Sequence, residues 1–536
     1  MNYKLTPAVL RQLIPLYLLL MVWFPVFVGY VIDADMVHPL TLLVSFIWML
    51  VFTIPFAFFQ RSFFYYAGVI LYFFIGLIEL SHWLIMKGPL TITSILNVFS
   101  TNMEEALDFV TLKLSYSLLV LLVYVAIFIL ALRNLPRLKN KKRYYRQVTV
   151  FTLIPLSFFL LAFSSIPKMR LVPQFVKVTY AFGAELKGYN ELVNNNALKK
   201  VNISQPVTTG KQVVVLIIGE SAARDRMSLY GFPKATTPLL KARKDLIVYT
   251  NVISPYSYTT LSVPSMVSNS NYQNKLSFHE NIDIIDVFSS AGYKTYWYSN
   301  QSQVGLWDNI VSAIANNSEE VGFVNAAGNS SQEVLHSRSY DGRLFEPFVE
   351  AIEEEGDKKL IVLHLLGSHA AYKKRYPKEF DQFKGEGSRN QLIAEYHNSL
   401  LYSDFVINSI LNTLDTYSAK TQIPAFALYV ADHGENLYDE QDRAGHDFAK
   451  IMPKVNVEVP MFLWTSDTYE SKFQEKILSA HANTDLPYMS DDIFHSILDM
   501  ANINGPFFLP ERSIINKYYD PNRLRIMADD NNYDDL

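Results

Sequence analysis

The sequence predicts two classes of structure in one chain: an α-helical membrane domain of five spans, then an α/β domain with a mostly parallel, helix-covered sheet. Three observations carry this. Apolar runs of about 20 residues, the length that crosses a bilayer core, recur five times before residue 166. The connections between them alternate in charge. From residue 212 short continuous apolar runs alternate with helical patterns, as strands buried on both faces by helices require.

The spans are 10–32, 40–59, 63–86, 114–132 and 148–166. The first is too long and apolar for a signal peptide, and no small-x-small cleavage site follows, so it is read as retained. DADMVH after it is acidic, whereas QRS after the second carries Arg61. Glu104, Glu105 and Asp108 lie between the third and fourth, and RNLPRLKNKKRYYR, with seven Lys or Arg and no acid, precedes the fifth. Lys and Arg in short loops stay cytoplasmic. The N-terminus is therefore inside and everything after residue 166 outside. Glu79 and His82 fall near the outer end of the third span, where long polar side chains reach the interface. Between the third and fourth spans, Ile95, Leu96, Phe99, Met103, Ala106 and Val110 recur at helical spacing. They predict an amphipathic helix over about 92–110 on the outer leaflet. Asn97, Thr101 and Glu105 share one stripe of it, either a solvated face or one turned toward a lipid headgroup.

Residues 167–211 read as a connector, 212–526 as the outer domain, and 527–536, MADDNNYDDL, as an acidic disordered tail. Candidate strands are 213–218, 293–298, 360–366, 425–431 and 459–464, with helices over 281–290 and 391–415. A net charge of −4 provides no field for nucleic acid. The absence of cysteine excludes disulfides and leaves only oxygen and nitrogen ligands for a metal.

Three candidate strands end in chemistry. VVVLII runs into Gly219 and Glu220, LIVLHLL into Gly367, Ser368 and His369, and AFALYVA into Asp432 and His433. Sites of open α/β sheets lie beyond the carboxyl ends of the strands. Parallel strands would gather Glu220, His369, Asp432 and His433 at one edge, a set that suits zinc or manganese. Each residue singly has a duller reading, Glu220 and Asp432 as helix caps, but four together at strand ends are much harder to explain so. The segment NVISPYSYTTLSVPSMVS offers Ser254, Ser257, Thr259, Thr260 and Ser262 as hydroxyls that a metal would activate. Periodicity does not choose among them.

At these residues the chain resembles the phosphoethanolamine transferases of Gram-negative envelopes, within the alkaline phosphatase and sulfatase superfamily. The likeness rests on IIGESAARDRMSLYGFPKATTP, NVISPYSYTTLSVPSM, GSHAAYKKRYP, ADHGENL and Gly445-His446, in that order. It implies an alkaline-phosphatase-like catalytic domain in the periplasm, tethered to the inner membrane. It implies Thr259 as nucleophile, and Glu220, Asp432, His433 and Thr259 as zinc ligands. His369 and His446 would stand beside the phosphate, and Asn97, Thr101 and Glu105 against the ethanolamine headgroup. The implied donor is phosphatidylethanolamine and the implied acceptor lipopolysaccharide. Members that modify lipid A have cysteines where Pro255 and Ser265 stand here, and Ser and Lys where Gln301 and Val304 stand. The chain is thereby more similar to the branch acting on inner-core heptose or periplasmic glucans. The alternatives are lipid A or periplasmic glucan as acceptor, or a phosphoglycerol transferase that uses phosphatidylglycerol and manganese. A sulfatase activity would need a formylglycine motif, CxPxR, which has no counterpart. A silent receptor on this scaffold would have lost metal ligands that are present.

Overall fold

The computed structural model describes residues 23–32, 42–43, 63–86, 90, 116–133, 198–204, 210–276, 280–302, 310–325, 339–356, 358–446 and 452–536. These fall into two compact units, one holding the N-terminal helices and the other the chain from residue 198 onward. The first, second and fifth predicted spans, the helix over about 92–110 and most of the connector lie wholly or largely outside the described residues.

In the first unit α1 (Phe63–Met86) and α2 (Tyr116–Arg133) coincide with the third and fourth predicted spans. Aromatic rings join them: Phe73 stacks on Phe128 at 3.7 Å and on Tyr124 at 5.2 Å between centroids. The Ser117 hydroxyl donates to the Leu84 carbonyl at 3.2 Å. The faces turned away from this contact are also apolar, with Phe74, Leu119, Leu122 and Leu130 more than half exposed. Among the described residues no helix is long and apolar enough to cross a membrane.

The second unit is built on a seven-stranded sheet: β1 (Gln212–Gly219), β2 (Leu246–Tyr249), β3 (Lys294–Ser302), β4 (Glu320–Asn325), β5 (Lys358–His364), β6 (Ala425–Ala431) and β7 (Met461–Thr465). Their spatial order is β2-β7-β6-β1-β5-β3-β4. Only β7 runs against the others. The central strand β1 is buried at every residue, as its unbroken VVVLII demands. It pairs in parallel with β5 and β6, Ile218 opposite His364 and Gly219 opposite Ala431. That register delivers the residues after all three strands to one edge. The segment that carries Thr259 forms α3 (Thr259–Met266), and α4 (Ile284–Ser290) precedes β3. A 35-residue helix, α5 (Gly387–Thr421), buries Leu400, Ile407, Ile410 and Leu414 in the core, and Gln422 ends it with a left-handed turn (φ 57°).

Two expectations are corrected. The sheet has two strands not foreseen, β2 and β4. Both are edge strands: β2 is an apolar run of only four residues, LIVY, and β4 is largely half-exposed and interrupted by Gly322. The tail 527–536 is packed rather than disordered. Met527 is buried, the Ala528 N–H donates to the Pro255 carbonyl at 2.9 Å, and Arg525 pairs with Asp534. Its acids have partners, and composition alone does not count partners.

Candidate active site

Each loop of the site is held by its own backbone before any side chain is added. The Asp432 N–H donates to the Gly219 carbonyl at 3.0 Å, which sets the β6 exit beside the β1 exit. Asp432 Oδ1 accepts from the N–H groups of Ser221 (3.2 Å) and His433 (2.7 Å). At the β5 exit, buried Asp341 accepts from the N–H groups of Leu366 (2.7 Å) and Gly367 (2.9 Å). Gly367 has φ 50°, and a Cβ there would lie 2.7 Å from the Glu220 carbonyl oxygen. Only glycine lets these two loops touch.

Glu220, Asp432 and His433 then converge, all buried. Their ligand atoms lie within 4.8 Å of one another. His433 Nε2 is 3.3 Å from Glu220 Oε1 and 3.6 Å from Asp432 Oδ2. His433 Nδ1 faces the Gly434 carbonyl at 2.8 Å, so in the neutral ring the proton belongs there and Nε2 is left with the lone pair a cation would take. Asp432 Oδ2 and His433 Nε2 are buried with no hydrogen-bond partner. Burying unpartnered acceptors is expensive, and a divalent cation between them removes that cost. Two carboxylates and one imidazole with an open fourth position match a catalytic zinc site.

The electrostatics agree. Burial pushes the Asp432 carboxyl well above its usual range, and the neighbouring Glu220 charge adds to the push. Burial acts the same way on Glu220, but the adjacent His433 ring outweighs it and holds that carboxyl well below its usual range. Burial opposes a charged ring at His433, yet Asp432 and Glu220 together lift it to about 10. Without a cation the triad therefore keeps a proton where positive charge is wanted.

The Thr259 hydroxyl donates to Glu220 Oε2 at 2.8 Å. The other four candidate hydroxyls are placed differently. Ser254 and Ser262 bond each other at 2.9 Å, Ser262 also bonds the Asp432 carbonyl, and Ser257 Oγ and Thr260 Oγ1 are buried without partners. The structure thus brings Thr259 to the acids of the triad. Beside it, the His446 ring lies 4.4 Å from that of His433. His446 Nδ1 faces Glu435 Oε2 at 3.0 Å, and the Tyr372 hydroxyl donates to Glu435 Oε1. Burial pushes His369 down to about 4, and its Nδ1 has no hydrogen-bond partner. Asn97, Thr101, Glu105 and Val304 lie outside the described residues.

Sequence reasoning missed Glu435, Ser221 and Asp341. Glu435 was within reach, being the acid that closes the ADHGE run; with His433 and His446 it forms a second group able to hold a metal. Ser221, at φ 53°, donates to Glu220 Oε1 at 2.7 Å. Asp341 sits in the irregular SYDGR segment, which has no periodic signal.

The sulfatase family profile matches residues 212–503, more than half of the chain. The chain belongs to the sulfatase family. Phosphoethanolamine transferase EptC of Escherichia coli O18:K1:H7 is 27% identical over 455 residues, covering 79% of this chain and 77% of that protein. The crystal structure of the C-terminal periplasmic domain of the Escherichia coli EptC in complex with zinc is 26% identical, with a TM-score of 0.54 over 62% of this chain and 93% of that domain. The integral membrane lipooligosaccharide phosphoethanolamine transferase A of Neisseria meningitidis shares the fold over 94% of this chain and 98% of its own, with a TM-score of 0.71 at 20% identity.

Proposed function

We propose that the chain transfers phosphoethanolamine from phosphatidylethanolamine to a sugar hydroxyl of lipopolysaccharide, inner-core heptose being favoured, through a phosphothreonine at Thr259. One observation carries this reading: the Thr259 hydroxyl reaches a buried Glu220–Asp432–His433 triad whose free lone pairs want a cation. The relatives named phosphoethanolamine transferases, one of them solved with zinc, support the substrate class and the metal. Glu220, Asp432, His433 and Thr259 would hold the zinc. Bound there, it lowers the pKa of the threonine hydroxyl and takes up charge on the phosphoryl oxygens.

In the first half-reaction the Thr259 oxygen bonds to phosphorus, the phosphorus–oxygen bond to diacylglycerol breaks, and the threonine proton ends on diacylglycerol. In the second, a sugar oxygen bonds to phosphorus, the bond to Thr259 breaks, and the sugar proton returns to Thr259. Covalent catalysis divides one hard transfer into two easier ones. Thr259 begins α3, and the positive end of that helix would favour the phosphoryl charge there. Glu435 fixes the ring of His446 through Nδ1, which turns Nε2 toward the phosphate. His369 and His446 are the candidates for general acid or base and for stabilising charge on the phosphoryl oxygens.

We place residues 1–166 in the inner membrane, 167–211 as connector, and 212–526 with the tail 527–536 in the periplasm. The apolar outer faces of α1 and α2 support this. A membrane tether keeps the site near an insoluble donor, and Asn97, Thr101 and Glu105 would receive its headgroup. The test is Thr259→Ala in the full chain in detergent with a fluorescent phosphatidylethanolamine. Diacylglycerol release should fall by about 10³-fold or more. Undiminished release discards Thr259 as nucleophile, and release of labelled diacylglycerol from phosphatidylglycerol instead would reassign the donor.

A further inference from the structure

We infer that Gln301 is a positioning residue of the metal centre: its carboxamide fixes the plane of the Glu220 carboxylate from the side opposite Ser221. The inference rests on the metal reading above, but it concerns a residue that no ligand set requires.

Gln301 lies near the end of β3, where the register with β4 slips between Ser299 and Ser302. In a regular strand Asn300 and Gln301 would serve opposite faces. At this irregularity both serve the β5 exit. Asn300 Nδ2 donates to Asp341 Oδ1 at 2.8 Å, the same buried carboxylate that holds the Leu366 and Gly367 N–H groups. Gln301 Nε2 donates to the Leu365 carbonyl at 2.9 Å. A carboxamide nitrogen has two protons, and the second reaches toward Glu220 Oε2 at 3.5 Å. That oxygen is the one to which Thr259 donates, while Ser221 donates to Oε1 at 2.7 Å. Glu220 is thus gripped on both oxygens by neutral donors, and the Gln301 grip is anchored on backbone. Neutral donors orient the carboxylate without cancelling the charge that a cation needs. Partners of this kind typically contribute about 10–100-fold to metal affinity or activity.

The experiment uses Gln301→Met in the full chain, which keeps length and approximate volume and removes both donors. Zinc affinity is read by competition with a chromophoric chelator, independently of turnover. The expected result is zinc binding weakened by about 10–100-fold, with diacylglycerol release lost at limiting zinc and regained at high zinc. Affinity within twofold of the parent overturns the inference while leaving the proposed function standing; a parent chain that binds no zinc overturns both. Should Gln301→Met also soften the fold, a cycle with Ser221→Ala decides. Two donors that orient one carboxylate give non-additive losses, and additive losses overturn the inference.

Discussion

Protons and a cation compete for the same lone pairs of Glu220, Asp432 and His433. His433, lifted to about 10, is protonated at neutral pH when no cation is present, and zinc binds only the neutral ring. Zinc binding should therefore release a proton, and affinity should rise by about tenfold per pH unit for each proton released, up to about pH 10. Calorimetry in buffers of different ionisation enthalpy measures that proton; no release between pH 7 and 8 would contradict the charge assignment. The same shift fixes a sign for stability. A histidine raised on folding stabilises fully below its ordinary value of about 6.5, and that contribution is lost as pH rises through about 10. Asp432, also raised, works in the same direction. The thermal midpoint of chelator-treated protein should fall between pH 7 and 10, and that of zinc-loaded protein should fall less. At this scale the residues that converge were legible, because an acid or imidazole that ends an apolar strand is conspicuous. Their supports were not: Ser221 acts through a left-handed backbone, and Asp341 through N–H groups that carry no residue identity.

Elements were legible in proportion to their burial. The strands β1, β5 and β6 read as unbroken apolar runs because helices cover both faces, and their parallel register then places the site without further information. The edge strand β2 gives only a four-residue run, and β4 is broken by Gly322. The loops between elements hide the most, since their shape depends on single glycines. Gly367 and Gly292 both have positive φ, 50° and 78°, but a Cβ on Gly292 meets nothing within 4 Å whereas one on Gly367 meets the Glu220 backbone. Gly292→Ala should cost only the backbone term, about 1 kcal/mol. Gly367→Ala should cost more, about 2–4 kcal/mol when the clash is added to the backbone strain, and should also weaken zinc binding by displacing Glu220. Denaturant midpoints and chelator competition on the two variants separate the effects; equal costs and unchanged zinc affinity would show that the β5 exit does not brace the site.

For the catalytic unit taken whole, the question is what holds the loops still in a chain without cysteine. The C-terminal residues answer it by reaching loops far away in sequence. Ala528 donates to the Pro255 carbonyl at 2.9 Å, just upstream of Thr259. Asp529 accepts from the Met452 N–H at 2.8 Å, a few residues past His446. The Tyr533 hydroxyl donates to Glu458, which itself pairs with Arg224 at 3.0 Å, beyond Glu220. One strap thus ties the segments that carry Thr259, His446 and Glu220. Chain termini without such ties are the first regions to fray, and the acidic composition suggested that outcome. Each tie contributes about 0.5–1.5 kcal/mol. Ending the chain after Met527 removes nine residues and should lower stability by about 2–4 kcal/mol, a fall of roughly 3–6 °C in thermal midpoint for a unit of this size. Hydrogen exchange at 255–258 should quicken in the shortened chain, because the Pro255 carbonyl loses its donor and the loop its anchor. A shortened chain with an unchanged midpoint and unchanged exchange there would mean that the site loops are held by the sheet exits alone.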